Sequence, residues 1–138
     1  MPKQNQKPTE AELEILGVLW ARGAATVKDV HAHLSASKPT VYTTVLKTMQ
    51  IMTEKGFVAP DKSSKAHVYR AMIEREATQK RFAGDLLNKL FGGSAAQLVM
   101  RVLETAPASE AELREIRQMI DDAEKNHEKN QTKDASEK

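Results

Sequence analysis

Two glycines and a proline cut residues 1–70 into segments with room only for small helices and a hairpin. Thr9-Glu10-Ala11-Glu12 is a capping box, in which the Thr9 hydroxyl and the Glu12 carboxylate satisfy orphan amides reciprocally. Leu13, Leu16, Leu19 and Trp20 follow at three- and four-residue spacing, so the sequence predicts a first helix with one buried face, closed by a left-handed cap at Gly23. Thr26-Val27-Lys28-Asp29 repeats the start signal, and Val27, Val30 and Leu34 give a short second helix ending near Leu34. Ser35-Ala36-Ser37-Lys38 is turn-like, and Pro39 suits the first turn of a third helix because its missing amide would be orphaned there anyway. That helix runs to about Lys55 with Val41, Val45, Met49 and Met52 directed inward and Thr40, Thr43, Thr44, Lys47 and Gln50 left outside. Gly56 stops it. Phe57-Val58-Ala59 and Ala66-His67-Val68-Tyr69-Arg70 then read as two strands joined by a polar, basic tip, Asp61 to Lys65.

The back half returns to helical periodicity. One helix is expected from Ile73 to Phe91, broken by Gly92-Gly93; a second from Ser94 to Thr105; and a third after Pro107, opened by the capping box Ser109-Glu110-Ala111-Glu112 and carrying Leu113, Ile116, Met119 and Ile120. The domain reading is an N-terminal arm over residues 1–8, a compact domain over 9–72, a helical region over 73–127, and a polar tail without structure over 128–138. A chain of 138 residues is comfortable for one compact domain with a helical arm, not for two independent cores.

Composition narrows the function classes. There is no cysteine, which removes disulfides, thiolate metal sites and thiol nucleophiles together. No apolar run approaches the roughly 18 residues of a membrane span, and the first ten residues lack the apolar stretch of a secretory signal, so a soluble, cytoplasmic protein is expected. Residues 1–72 hold ten Lys or Arg against six Asp or Glu, a net +4, whereas residues 73–138 hold eleven against thirteen, a net −2. A polyanion would therefore meet the front half. His31 and His33 stand about 200° apart around a helix, so they do not form a metal pair, and no metal or other cofactor is expected. The paired acids Glu10, Glu12 and Glu14, or Asp121 and Asp122, fit caps and solvated faces and lack a partner base or nucleophile, so no enzymatic activity is expected.

The fold expected is mainly α with a small β-hairpin wing: a winged helix-turn-helix followed by C-terminal dimerisation helices. An outward polar third helix fits the roughly 12 Å major groove of DNA, where Thr40, Thr43, Thr44 and Lys47 reach base edges and phosphates. Lys38 at the helix start and Lys62 and Lys65 on the hairpin add sequence-independent attraction. Taken singly, such residues are more often a solvated face; their placement on one helix followed by a basic hairpin favours duplex DNA as the partner. In the back half, Leu86, Leu87, Leu90, Phe91, Leu98, Val99, Val102, Leu103, Ile116 and Ile120 are the candidate dimerisation residues, since three further amphipathic helices need an apolar surface that a second copy of the chain supplies through a two-fold interface. The alternative is a winged helix used as a protein-interaction module without operator binding.

The stretches Glu12-Leu13-Glu14-Ile15-Leu16 with Val18-Leu19-Trp20, Val41-Tyr42-Thr43-Thr44-Val45 leading to Glu54-Lys55-Gly56-Phe57-Val58, and Lys65-Ala66-His67-Val68-Tyr69-Arg70 resemble the penicillinase-repressor (BlaI/MecI/CopY-type) winged-helix regulators, a family that includes repressors of copper-transport operons. The resemblance runs from about Thr9 to Glu124. It implies a homodimeric repressor that binds a palindromic operator, adds Tyr42 to the DNA-binding residues, and introduces a sensor or antirepressor protease as a further partner. Three departures accompany it. An arginine often found near the end of the recognition helix is Ile51 here. The C-terminal cysteine cluster of the copper-responsive branch is missing. The Asn-Phe bond cut by a protease in the antibiotic-resistance branch corresponds to Arg101-Val102. The inducing signal is left open.

Overall fold

The computed structural model of the chain describes residues 6–63 and 65–136, with side chains to residue 131. Six helices and one hairpin follow in order: α1 (Glu10–Arg22), α2 (Val27–Ser35), α3 (Tyr42–Lys55), β1 (Val58–Asp61), β2 (Val68–Ala71), α4 (Arg75–Leu90), α5 (Ala95–Thr105) and α6 (Glu110–Ser136). The architecture is a winged helix-turn-helix with helices after it. No helix among the described residues is long and apolar enough to cross a membrane.

Both N-terminal capping boxes form. Thr9 Oγ1 accepts from the Glu12 amide at 3.2 Å while Glu12 Oε1 accepts from the Thr9 amide at 2.8 Å. Thr26 and Asp29 repeat the exchange at 3.1 and 3.2 Å. Thirteen apolar side chains make one core, with Leu16, Leu19, Val30, Met49, Met52 and Phe57 almost completely enclosed. Each such Leu, Met or Phe contributes about 1.5–3 kcal/mol on leaving water. The hairpin pairs antiparallel in the register Val58↔Ala71 to Asp61↔Val68, and the loop between α1 and α2 joins it: Ala25 and Tyr69 exchange both backbone hydrogen bonds, at 3.1 and 2.8 Å. Gly56 makes the turn from α3 into the wing in the left-handed region (φ 82°, ψ 14°), where an L side chain would be strained. The Trp20 indole N–H donates to the Ile73 carbonyl at 3.0 Å and so holds the chain leaving the wing against α1.

Several boundaries differ from the sequence reading, each for a local reason. Helix α3 begins at Tyr42 rather than Pro39, because Thr40 gives its carbonyl to His31 and Val41 stays extended as the N-cap. Val41 is consequently 63% exposed instead of facing the core. Strand β1 continues through Pro60, which a two-stranded ribbon tolerates at its edge, and Phe57 is core without being strand. Pro8 is buried, Arg81 Nη1 donates to the Gln6 carbonyl at 3.0 Å, and Lys7 Nζ lies 4.4 Å from the Phe82 ring centroid, so residues 6–8 are strapped to α4 rather than loose; residues 1–5 of the expected arm lie outside the described residues. Helix α6 continues to Ser136, where a tail without structure was expected after His127. Nothing after Pro107 breaks a helix, and spaced pairs such as Gln118 to Asp122 and Gln131 to His127, each 3.0 Å, support it beyond its apolar stripe.

The chain forms two compact units, divided between Gly84 and Asp85 inside α4. The first holds the whole apolar core, and Thr78 on α4 is buried in it as well. In the second, none of the described side chains from Asp85 to Gln131 is buried.

One buried charge closes the first unit. Glu12 is 2% exposed, and its carboxylate accepts from Lys55 Nζ at 2.9 and 3.1 Å as well as from Thr9. Burial alone raises the Glu12 pKa, but the Thr9 amide and the Lys55 ammonium outweigh it and hold the value below its ordinary 4.5. Because the folded pKa is depressed, the stability from Glu12 is full above the unfolded value and is lost as pH falls through 4.5 toward the folded one. Lys55→Met should destabilise the first unit by about 1.5–3 kcal/mol, since it removes charge-assisted bonds from a buried carboxylate. Denaturant titrations followed by Trp20 fluorescence measure this, and the gap between parent and variant should narrow below pH 4.5.

Candidate nucleic-acid interface

Helix α3 presents two faces with different duties. Val45, Met49 and Met52, at 3% exposure or less, fix its inner side in the core. Tyr42, Thr43, Thr44, Lys47 and Gln50 are thereby exposed on the outer side, together with Ile51. Thr48 lies between the two and returns its hydroxyl to the Thr44 carbonyl at 2.8 Å, so the exposed polar groups of the first turns are those of Tyr42, Thr43, Thr44 and Lys47.

The other expected residues divide by location. Lys62 and Lys65 are exposed in the tip between the strands, beside His67. Asp61 ends β1 and accepts from the Ser63 amide at 2.9 Å; that bond holds the Asp61 pKa down, so the tip carries one fixed negative charge among its cations. Thr40 is not on the helix: it is half-buried, its hydroxyl donates to the Lys38 carbonyl at 3.0 Å, and its carbonyl accepts from His31 at 2.7 Å. Lys38 sits at the turn before α3 but pairs with Glu14 of α1 at 3.2 Å across two exposed side chains. Tyr42 stands edge-on to the His31 ring, with centroids 5.4 Å apart and planes at 75°.

Arg70 is not among the DNA-binding residues expected from the sequence. It is exposed on β2 opposite Ala59, and its charge acts on Asp61, which places a further cation on the wing. Strand alternation alone could have found it, since the buried Tyr69 beside it leaves Arg70 facing outward. Lys55 belongs to the buried pair with Glu12 and is not an interface cation. His33 is exposed and His31 is engaged with Thr40, so α2 brings no pair of imidazoles together.

The candidate dimerisation residues all lie between Leu86 and Ile120, in the second unit. Leu90 is 70% exposed, Leu86, Val99, Val102, Leu103 and Ile120 are exposed, and Leu87, Phe91, Leu98 and Ile116 are half-buried. Between α5 and α6 an apolar groove of about 620 Å³ is lined by Val99, Met100, Leu103 and Ile120. Arg101, on α5, donates to Glu104 at 2.8 Å.

Residues 8–122 match the sequence pattern of the family described as penicillinase repressor. Over 120 residues the chain is 21% identical to the methicillin resistance regulatory protein MecI of Staphylococcus aureus strain N315, spanning 87% of this chain and 98% of that protein. It is 29% identical over 105 residues to the transcriptional regulator BlaI of Mycobacterium tuberculosis, spanning 75% and 76% of the two chains. The solution structure of the DNA-binding domain of the repressor BlaI superposes with a TM-score of 0.48 at 25% identity, over 54% of this chain and 90% of that one.

The Lys38–Glu14 pair is exposed on both sides and should contribute little to stability. Glu14→Gln is expected to leave the melting temperature within about a degree while freeing the Lys38 ammonium. Affinity for a duplex of arbitrary sequence at low salt should then rise by a factor of about 2–5, the rise fading as salt screens it.

Proposed function

From the premise that this chain belongs to the penicillinase-repressor family, we propose that it is a homodimeric transcriptional repressor that binds a palindromic DNA operator in the cytoplasm and is released from it by an inducing signal. The observation that carries the reading is the outer face of α3, where Tyr42, Thr43, Thr44 and Lys47 are exposed on a helix whose inner face is immobilised, followed directly by a hairpin with Lys62, Lys65 and Arg70 outward. In this arrangement α3 lies in the major groove, its threonines and lysine meet base edges, and the wing lies along phosphates. Lys38 joins the phosphate contacts when it exchanges Glu14 for the DNA backbone.

The homodimer rests on a second observation. Val99, Met100, Leu103 and Ile120 line one open apolar groove, Leu90 and Val102 are exposed in the same unit, no described side chain of which is buried, and apolar surface of that kind marks an interaction face. A second copy covers it isologously and presents two α3 helices to two half-sites, so the second contact forms at high effective concentration. A sensor or antirepressor protease is one source of the signal; the bond at the corresponding position, Arg101–Val102, lies within α5.

Selection of bound duplexes from a random pool tests the reading, and a symmetric consensus with half-sites about one helical turn apart is expected. Lys62→Ala with Lys65→Ala, which removes two cations from each subunit of the dimer, should weaken binding to all duplexes alike and lower the slope of log affinity against log salt by about 4. Thr43→Ala or Thr44→Ala should instead change the preferred base, at about 1–3 kcal/mol for a direct contact. If every variant keeps the parental preference, α3 does not read sequence. Sedimentation of Leu103→Glu should show a monomer where the parent is a dimer, with loss of most affinity for the symmetric site; a monomeric parent at micromolar concentration would refute the dimer.

A further inference from the structure

Helices normally enter from an N-cap whose side chain fixes the first turn; α3 does not. Its N-cap is Val41, which has no hydrogen-bonding side chain. Backbone bonds tie the preceding turn to α2 only as far as Lys38: Ala36 donates to His33, and Ser37 and Lys38 donate to Leu34, at 3.2 to 3.3 Å. Pro39 has no amide to give. Among the described residues, the next tie between α2 and the chain entering α3 is made by a side chain. His31 Nε2 lies 2.7 Å from the Thr40 carbonyl, and because a carbonyl only accepts, the imidazole carries its proton on Nε2 and donates it there. Ser35 Oγ, one turn along α2, is 3.2 Å from the same nitrogen. The ring then meets Tyr42 edge-on, 5.4 Å between centroids.

From these contacts we infer that His31 is the positioning residue for the DNA-reading end of α3, taking the place of an N-cap by anchoring the Thr40 carbonyl and orienting the Tyr42 ring. The inference rests on the proposed DNA reading and deepens it: His31 touches no DNA and acts through Thr40, Tyr42 and the first turn with Thr43 and Thr44. The core residues Val45, Met49 and Met52 set where α3 lies, but they begin a full turn later. The first turn is where base-edge contacts would be made, and its direction is left to His31. The partly solvated ring is not part of the core, so its effect should be on discrimination rather than on folding.

The test uses the full chain with His31→Ala, His31→Gln, which keeps a donor near the Nε2 position, and His31→Phe, which keeps the ring. Affinities are measured for the duplex selected from a random pool by the parent and for a random duplex of equal length, and melting is followed by Trp20 fluorescence. His31→Ala should lower the ratio of selected to random affinity by about five- to tenfold, the scale of one weak hydrogen bond lost in each subunit of the dimer. Random-duplex affinity, its salt slope and the melting temperature should stay close to parental. His31→Gln should recover more of the ratio than His31→Phe. An unchanged ratio in His31→Ala, or equal loss on both duplexes together with a lowered melting temperature, overturns the inference while the DNA reading stands. A parent that fails to prefer its selected duplex overturns both.

Discussion

Val45, Met49 and Met52 seat α3 against the side chains of α1, α2 and the wing, and the rest of the first unit is organised around that seating. Their spacing occupies one side of a 3.6-residue helix, so enclosing them leaves Thr43, Thr44 and Lys47 nowhere to point but outward. The same helix cannot roll to bury a threonine without exposing a methionine, at about 1.5–3 kcal/mol for each side chain returned to water. An outer face held this firmly suits recognition, because contacts to base edges depend on a donor being in place before the duplex arrives.

The two ends of α3 are secured by different chemistry. At its C-terminal end, Lys55 reaches back to the buried Glu12, which is also half of the α1 capping box, so one carboxylate ties the start of the first helix to the end of the third. Removing Lys55 strands the Glu12 charge in a place with little water, whereas the Lys55 side chain is itself a quarter exposed. At its N-terminal end the link is an imidazole N–H on a carbonyl, half open to solvent. The tighter tie thus lies away from the outward threonines, and the softer one lies beside them.

The two units contrast in how they satisfy their apolar side chains. Up to Gly84 the chain encloses its own core and straps residues 6–8 onto α4 through Arg81 and Phe82. From Asp85 onward the amphipathic helices α5 and α6 leave Val99, Leu103 and Ile120 around an open groove. Leu87, Phe91, Leu98 and Ile116 are only half-buried there, so this unit encloses far less apolar surface than the first.

Much of this was legible in the sequence because it is local. The Thr9 and Thr26 capping boxes, the stop at Gly56, the apolar stripe of α3 from Val45 onward and the basic hairpin tip are each set within a few residues, and the structure forms them where the pattern places them; Val41, the first residue expected in that stripe, is the exposed N-cap instead. The α3 start was not legible: Pro39 is a valid first-turn residue on local grounds, but a side chain nine positions away claims the Thr40 carbonyl and moves the start to Tyr42. Nor was the length of α6, because apolar periodicity ends at Ile120 while helix propensity and polar pairs carry the helix to Ser136. The sequence by itself determined which elements exist and which faces they turn inward, since caps and periodicity act over one or two turns. Only the tertiary structure decided that Lys55 serves Glu12, that Lys38 is shared with Glu14, and that His31 holds the entrance to α3, because each pairing joins positions that sequence spacing does not relate and packing alone brings within hydrogen-bond reach.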